Sequence, residues 1–113
     1  MTIWDRARAT VDGRIRARGQ RAVLRRDSGD RECWVLEMQI TANERRALKS
    51  PTARIFTITP IGLSEPPVFK EDTLILFVQP AGTTERPPFR LVAPVEPFEP
   101  GGVVVYYEIQ VEQ

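Results

Sequence analysis

The stretch FRLVAPVEPFEPGGVVVYYEIQVEQ, residues 89–113, decides the fold that the sequence predicts. Two strand-like runs flank a segment in which Pro94, Pro97 and Pro100 recur at every third position. Gly101 and Gly102 follow the last proline and supply the backbone freedom that a chain reversal requires. The stretch therefore predicts a terminal hairpin whose strands are joined by a stiff, polyproline-like segment.

This proline segment restricts the strand that precedes it. Pro94 has no N–H to donate, so the strand beginning at Phe89 should stop pairing there or run along a sheet edge. Phe98, flanked by Glu96 and Glu99, then belongs either to a simple hairpin connection or to a contact with a neighbouring subunit. Both interpretations stay open at this point.

Four further extended segments precede the hairpin and are separated by turn or proline-rich sequence. They are QRAVLRR (20–26), CWVLEMQI (33–40), ARIFTIT (53–59) and TLILFV (73–78). The second alternates clearly, and its larger apolar residues should face the core. These residues are Trp34, Leu36, Met38 and Ile40.

The first segment of the chain has helical rather than strand periodicity. Ile3, Ala7, Val11 and Ile15 recur every four residues, and Gly19 is a natural end. We expect a basic helix over residues 1–19 and a β-domain over residues 20–113, together forming a single domain. The predicted fold is mainly β, a small antiparallel barrel or sandwich of about six strands with an N-terminal α-helix.

The segment TANERRALKSP, residues 41–51, leaves its structure open. Thr41 and Glu44 match a capping box, and Pro51 ends any helix that begins there. The segment is therefore either one or two helical turns or a charged loop.

Composition limits the class of protein. At 113 residues, with 42% hydrophobic and 27% charged residues, the chain should form one domain. Cys33 is the single cysteine, so no intramolecular disulfide is expected, which is typical of a reducing cytoplasm. No apolar run reaches membrane-spanning length, and we expect no membrane association.

Charge is divided unevenly along the chain. The first 26 residues hold eight arginines and two aspartates, while the remainder holds thirteen acidic and eight basic residues. The helical arginines suit a solvated face, salt bridges to a partner, or contact with the DNA backbone without sequence specificity. The candidate contact residues are Arg6, Arg8, Arg14, Arg16 and Arg18.

Features that support catalysis are missing from the sequence. There is no histidine, one cysteine cannot build a structural zinc site, and no glycine-rich phosphate loop follows a strand. Asp27, Ser28, Gly29 and Asp30 superficially resemble the triplet of aspartic proteases, but the preceding arginines favour a turn. We expect a protein that is not an enzyme and has no cofactor.

Three stretches, in order, resemble the small head-tail joining, or head-completion, proteins of tailed phages, related in plan to the lambda-type joining protein. They are RARATVDGRIRARGQRAVLRR, RIFTITPIGLSEPPVFKEDTLIL and FRLVAPVEPFEPGGVVVYYEIQV. The order and spacing of these packing patterns carry the resemblance. The chain departs from the family between Ile40 and Arg54, and Lys70, Glu71 and Asp72 replace an expected glycine-aspartate turn.

The resemblance implies a structural virion protein of the bacteriophage neck. Such a stopper or connector subunit forms an oligomeric ring between the portal or adaptor protein and the tail, retains packaged DNA and docks the tail protein. It implies assembly in the host cytoplasm and no catalytic site. The alternatives are a tail terminator or tail-completion ring protein and a non-enzymatic DNA-binding module. Candidate subunit-interface residues are Phe98, Glu96, Glu99, Arg45 and Arg46.

Overall fold

A computed structural model of the chain describes residues 2–48 and 50–113. Met1, in the predicted helical segment, and Lys49, in the segment after Ile40, lie outside the described residues. The elements are α1 (Ile3–Arg18), β1 (Gln20–Arg26), β2 (Gly29–Glu37), α2 (Ala42–Arg46), β3 (Arg54–Ile58), β4 (Thr73–Ile75), β5 (Phe89–Leu91), β6 (Glu96–Phe98) and β7 (Tyr106–Glu112). A short 3₁₀ turn, Pro100–Gly102, separates β6 from β7.

Six of the strands close into an antiparallel barrel. The strand order is β3-β2-β1-β4-β5-β7, and β7 returns to pair with β3 through Ile55↔Gln110 and Phe56↔Ile109. β6 is an additional strand that pairs with β7 alone. The prediction of a small antiparallel β-fold with an N-terminal helix is confirmed, and its barrel alternative is the one that forms.

Side chains that alternate along the barrel strands fill its interior, as the pleat of a strand requires. Phe56 and Phe89 are the largest of them, with ring centroids 6.2 Å apart and an edge-to-face arrangement. The core cluster is Ala22, Leu24, Cys33, Val35, Phe56, Ile58, Leu74, Leu76, Phe89, Leu91, Ile109 and Val111. Leu63 and Phe69, from the proline-rich connection between β3 and β4, pack against this cluster.

The predicted facing of β2 is wrong. Cys33 and Val35 point into the barrel and are buried, whereas Trp34 and Leu36 are only partly buried and Met38 is exposed. The physical reason is that α1 packs against β2, so this strand has apolar residues on both faces. The smaller residues occupy the interior, while Trp34 lies on the helix side, where the Arg16 guanidinium sits 5.7 Å from its ring centroid.

The ends of α1 are defined by local chemistry. Thr2 caps the helix by accepting a hydrogen bond from the Asp5 N–H, and the Asp5 carboxylate accepts one from the Thr2 N–H. Gly19 follows the last turn because a Cβ there would lie 2.0 Å from the Val35 carbonyl oxygen. Of the predicted apolar stripe only Ile15 is fully buried, and Ile3 is 73% exposed.

α2 resolves the alternative left open for residues 41–51. Thr41 accepts a hydrogen bond from the Glu44 N–H, and the Glu44 carboxylate accepts one from the Thr41 N–H. The capping box therefore forms, and the chain makes a short helix over Ala42–Arg46.

The terminal hairpin forms with its reversal at the predicted glycines, but residues 96–98 of the proline segment pair with β7 as strand β6 and do not form an unpaired polyproline-like bridge. Pairing of the β5 strand with β7 ends where the Val92 N–H donates to Gln110, before Pro94. It resumes at Glu96↔Glu108, so the register shifts by two residues across a bulge. Gly101 and Gly102 make the reversal with φ of 60° and 77°, values that favour glycine.

Candidate functional site

The side chain of Arg16 joins α1 to the barrel. Its Nε donates to the Asp12 carboxylate at 2.9 Å, its Nη2 donates to the Ile61 carbonyl at 3.0 Å, and its guanidinium lies over the Trp34 ring. Asp12 also accepts a 2.6 Å hydrogen bond from the hydroxyl of Thr59, which is buried. These contacts fasten α1 to the barrel, so Arg16 serves a structural purpose that the charge pattern did not reveal.

The remaining arginines of α1 divide into two groups. Arg8 lies 3.6 Å from Asp5 in an exposed pair. Arg6, Arg14 and Arg18 are exposed, and within residues 2–48 and 50–113 none of the three has an acidic partner. Because Arg14 and Arg18 are four residues apart, they lie on the same side of the helix. This side of α1 presents unneutralised positive charge to solvent.

The proline segment, residues 94–100, is named here the aromatic arm. Phe98 at its centre is 43% exposed, and its ring lies 5.2 Å from that of Tyr106 and 6.5 Å from that of Trp4. Gly101 allows this packing, because a Cβ at that position would lie 2.7 Å from the Trp4 ring. The arm is thus held against the beginning of α1 while one face of Phe98 remains accessible.

Acidic side chains surround the arm. Glu96 pairs across the strands with Glu108, so two carboxyl groups face each other. Burial, followed by the charge and hydrogen bond of Glu96, raises the pKa of Glu108. Glu96 and Glu99 are both exposed, which gives the arm a negative surface on each side of Phe98.

The other two predicted interface residues make local contacts. Arg45 Nη1 donates to the carbonyls of Pro51 and Ala53, at 2.9 and 3.2 Å. Arg46 donates to the Asn43 side-chain oxygen at 3.2 Å. Arg45 therefore fixes the loop that follows α2, and the structure does not bring either arginine together with the aromatic arm in contacts among the described residues.

A cleft of about 560 Å³ opens between the end of α1, the start of β1, the outer face of β2 and the loop after β4. Sequence reasoning missed it, because it joins segments that are distant along the chain. Its apolar lining comes from Trp34, Leu36 and Phe77, with Arg18 and Arg21 among its charged residues. Glu37, which also lines it, is neutralised by a bidentate pair with Arg54 at 2.6 and 2.7 Å.

A cluster of ion pairs centred on Asp72 lies beneath the turn between β1 and β2. Asp72 is 2% exposed and accepts hydrogen bonds from Arg26 at 2.8 and 2.9 Å and from Arg31 at 3.0 and 3.2 Å. Burial acts to raise the pKa of Asp72, but the bonds from Arg31, Arg26 and the Val68 N–H outweigh it and lower the pKa. The carboxylate is therefore held ionised as a structural counter-ion.

The titratable groups around Asp72 form ion pairs with one another. Cys33 is buried in the barrel, which raises its pKa to about 12 and keeps it a thiol. Asp27 and Ser28 form the two-residue turn joining Arg26 to Gly29. Across the part of the chain that the structure describes, no group of three or more potential metal ligands comes together.

The described helices include none that is both long enough and apolar enough to cross a bilayer. What the fold and surfaces define is a closed β-barrel with a fastened basic helix, an acidic aromatic arm and a basic cleft. Comparison of the chain with protein-family models, with curated proteins and with solved structures found no match in any of the three.

Proposed function

We propose that this chain is a structural subunit of the neck of a tailed bacteriophage. In this role it assembles into a ring between the portal or adaptor protein and the tail, completes the head, retains the packaged DNA and docks the tail. It acts without a cofactor and without catalysis, and it assembles in the host cytoplasm.

The observation that supports this proposal best is a closed barrel that follows a basic helix and whose last two strands, β5 and β7, are joined through a proline-containing segment. This is the architecture that the resemblance of the three sequence stretches implies. A barrel with a rigid core suits a ring subunit, because the interfaces are then carried by surface elements attached to it.

The distribution of charge supports the same role. Arg6 and Arg14 on α1 present positive charge, while the aromatic arm and the residues after Leu91 carry glutamates and no basic residue. A subunit with surfaces of opposite charge can contact both a polyanion and its neighbours. Unpaired arginines alone provide backbone contacts that do not read DNA sequence.

The test is capture of this chain by tagged portal, adaptor and tail proteins encoded in the same genome. We expect retention on the portal or adaptor ring, and deletion of the gene should yield heads that lose their DNA and lack tails. Retention by the tail protein alone, with stable filled heads, would assign the chain to the tail end instead.

A second measurement separates assembly from gene regulation. Short duplex DNA should bind weakly, with an affinity that falls steeply as salt increases, because the contacts are to phosphates. Tight binding to one duplex sequence at physiological salt, together with no capture by neck proteins, would refute the structural role.

A further inference from the structure

The cleft defined above has the properties of a docking site for an apolar and acidic segment. Trp34, Leu36 and Phe77 give it an apolar lining, and Arg18 beside them has no acidic partner among the described residues. Arg21 has only a loose 3.5 Å pair to Glu32, with both side chains more than half exposed, so its charge is largely available.

The aromatic arm of the same chain has the complementary properties. Phe98 presents an exposed apolar face, and Glu96 and Glu99 lie on either side of it. From Leu91 to Gln113 the sequence contains four glutamates and no lysine or arginine. An aromatic side chain bordered by acidic residues is therefore complementary to an apolar cleft bordered by basic residues.

These two surfaces cannot meet within one molecule. Phe98 packs near Trp4 at the start of α1, whereas Arg18 and the cleft lie at its end. The fourteen residue steps from Trp4 to Arg18 span about 21 Å along a helix. The arm therefore cannot reach the cleft of its own chain, whereas it can reach the cleft of a second copy.

We infer that the aromatic arm of one copy docks in the cleft of a second copy of this chain, with Phe98 against the apolar lining and the arm glutamates facing Arg18 and Arg21. Such a contact is heterologous, so it continues from copy to copy and closes into a ring when the rotation permits. The inference rests on the proposed function for its premise that the chain assembles with itself.

Nucleic acid is a less suitable occupant of this cleft. Phosphate groups would neutralise Arg18 and Arg21 but would leave the apolar lining formed by Leu36 and Phe77 uncovered. Burial of an aromatic side chain removes that apolar surface from water and satisfies both properties of the site together.

The experiment is a charge exchange read by sedimentation velocity of the full chain at increasing concentration. One variant carries Glu96→Lys and Glu99→Lys, and the other carries Arg18→Glu and Arg21→Glu. Each variant alone should self-associate about thirtyfold more weakly than wild type, since like charges then meet at the contact. An equimolar mixture should recover association, because the lysine arm of the first variant complements the glutamate cleft of the second. The unaltered arm of the second variant likewise complements the unaltered cleft of the first.

Lys70→Glu is the control, since it reverses an exposed basic residue that lies outside both the cleft and α1, and it should leave self-association unchanged. Phe98→Ala tests the anchor itself and should weaken association by about thirtyfold at unchanged charge. Circular dichroism and thermal unfolding verify that each variant is folded.

Three results would overturn the inference: a wild-type chain that remains monomeric at every concentration, variants that associate like wild type, or a mixture that shows no recovery. If the charge exchange does not change self-association while portal or adaptor proteins still capture the chain, the docking contact is wrong and the proposed function is supported. If the charge exchange changes self-association as expected but no neck protein captures the chain, the docking contact is supported and the proposed function is wrong.

Discussion

Replacing Asp72 by asparagine should destabilise the protein by about 3 kcal/mol, near the lower end of the cost of removing one partner from a buried ion pair. The carboxylate accepts five hydrogen bonds, two each from Arg26 and Arg31 and one from the Val68 N–H. After the change Arg31 retains the Pro66 carbonyl at 3.3 Å. Arg26 retains two mostly exposed glutamates at 3.5 and 3.6 Å, which moderates the loss.

For a domain of this size a loss of about 3 kcal/mol lowers the melting temperature by about 12 °C. Urea unfolding followed by tryptophan fluorescence and by circular dichroism should show a lower midpoint with an unchanged dependence on denaturant. Glu71→Gln is the matched control, because Glu71 is adjacent and acidic but exposed, and it should change stability by less than about 0.5 kcal/mol.

The pH dependence gives a further check on the same carboxylate. The folded pKa of Asp72 lies below its unfolded value, so its contribution is complete above about pH 4 and is lost as pH falls through the folded pKa. The difference between wild type and Asp72→Asn should therefore shrink in acid. If the asparagine variant is as stable as Glu71→Gln at neutral pH, the assignment of this cluster as a stabilising counter-ion centre is wrong.

Glu108→Gln should raise the free energy of unfolding at neutral pH by up to about 1 kcal/mol, since Glu108 and Glu96 face each other with like charge. Because the pKa of Glu108 is raised in the folded state, this gain should vanish as pH falls below the unfolded pKa of the residue. A loss of stability at neutral pH would contradict the prediction. Thr59→Val should cost about 1–3 kcal/mol by removing the part-buried hydrogen bond from Thr59 to Asp12. Hydrogen exchange should then accelerate selectively in α1, whereas unchanged exchange would mean that Thr59 does not hold the helix to the barrel. Cys33 should react with a thiol reagent only as denaturant opens the barrel, and rapid reaction of the native protein would show that the thiol is accessible.

The sequence was sufficient to predict the elements that depend on local chemistry. The capping box at Thr41, the stop at Gly19 and the reversal at Gly101 each follow from hydrogen bonds or backbone freedom within a few residues. In the last strand Ile109 and Val111 alternate with polar residues, and both are directed to the core.

Features that depend on contacts between distant segments could not be predicted in this way. β2 was assigned the wrong inner face because its larger residues lie under α1, a packing that a single strand does not encode. In the sequence Asp72 is only the last residue of a short charged run after Phe69, because its partners Arg26 and Arg31 are more than forty positions away. The cleft has the same origin, because Arg18 and Phe77 come from opposite halves of the chain.

The topology also limits how such a subunit can assemble. Each of the six barrel strands has a neighbouring strand on both sides, and among the named strands only β6 has a partner on one side alone. Strand addition at β6 is disfavoured because Pro97 within it has no N–H to donate, and prolines commonly protect exposed edges in this way. The topology therefore favours contacts through side chains over backbone pairing. Phe98 is partly exposed on this same strand, so the element that disfavours edge-to-edge pairing also carries the side chain that we propose as the anchor of the docking contact.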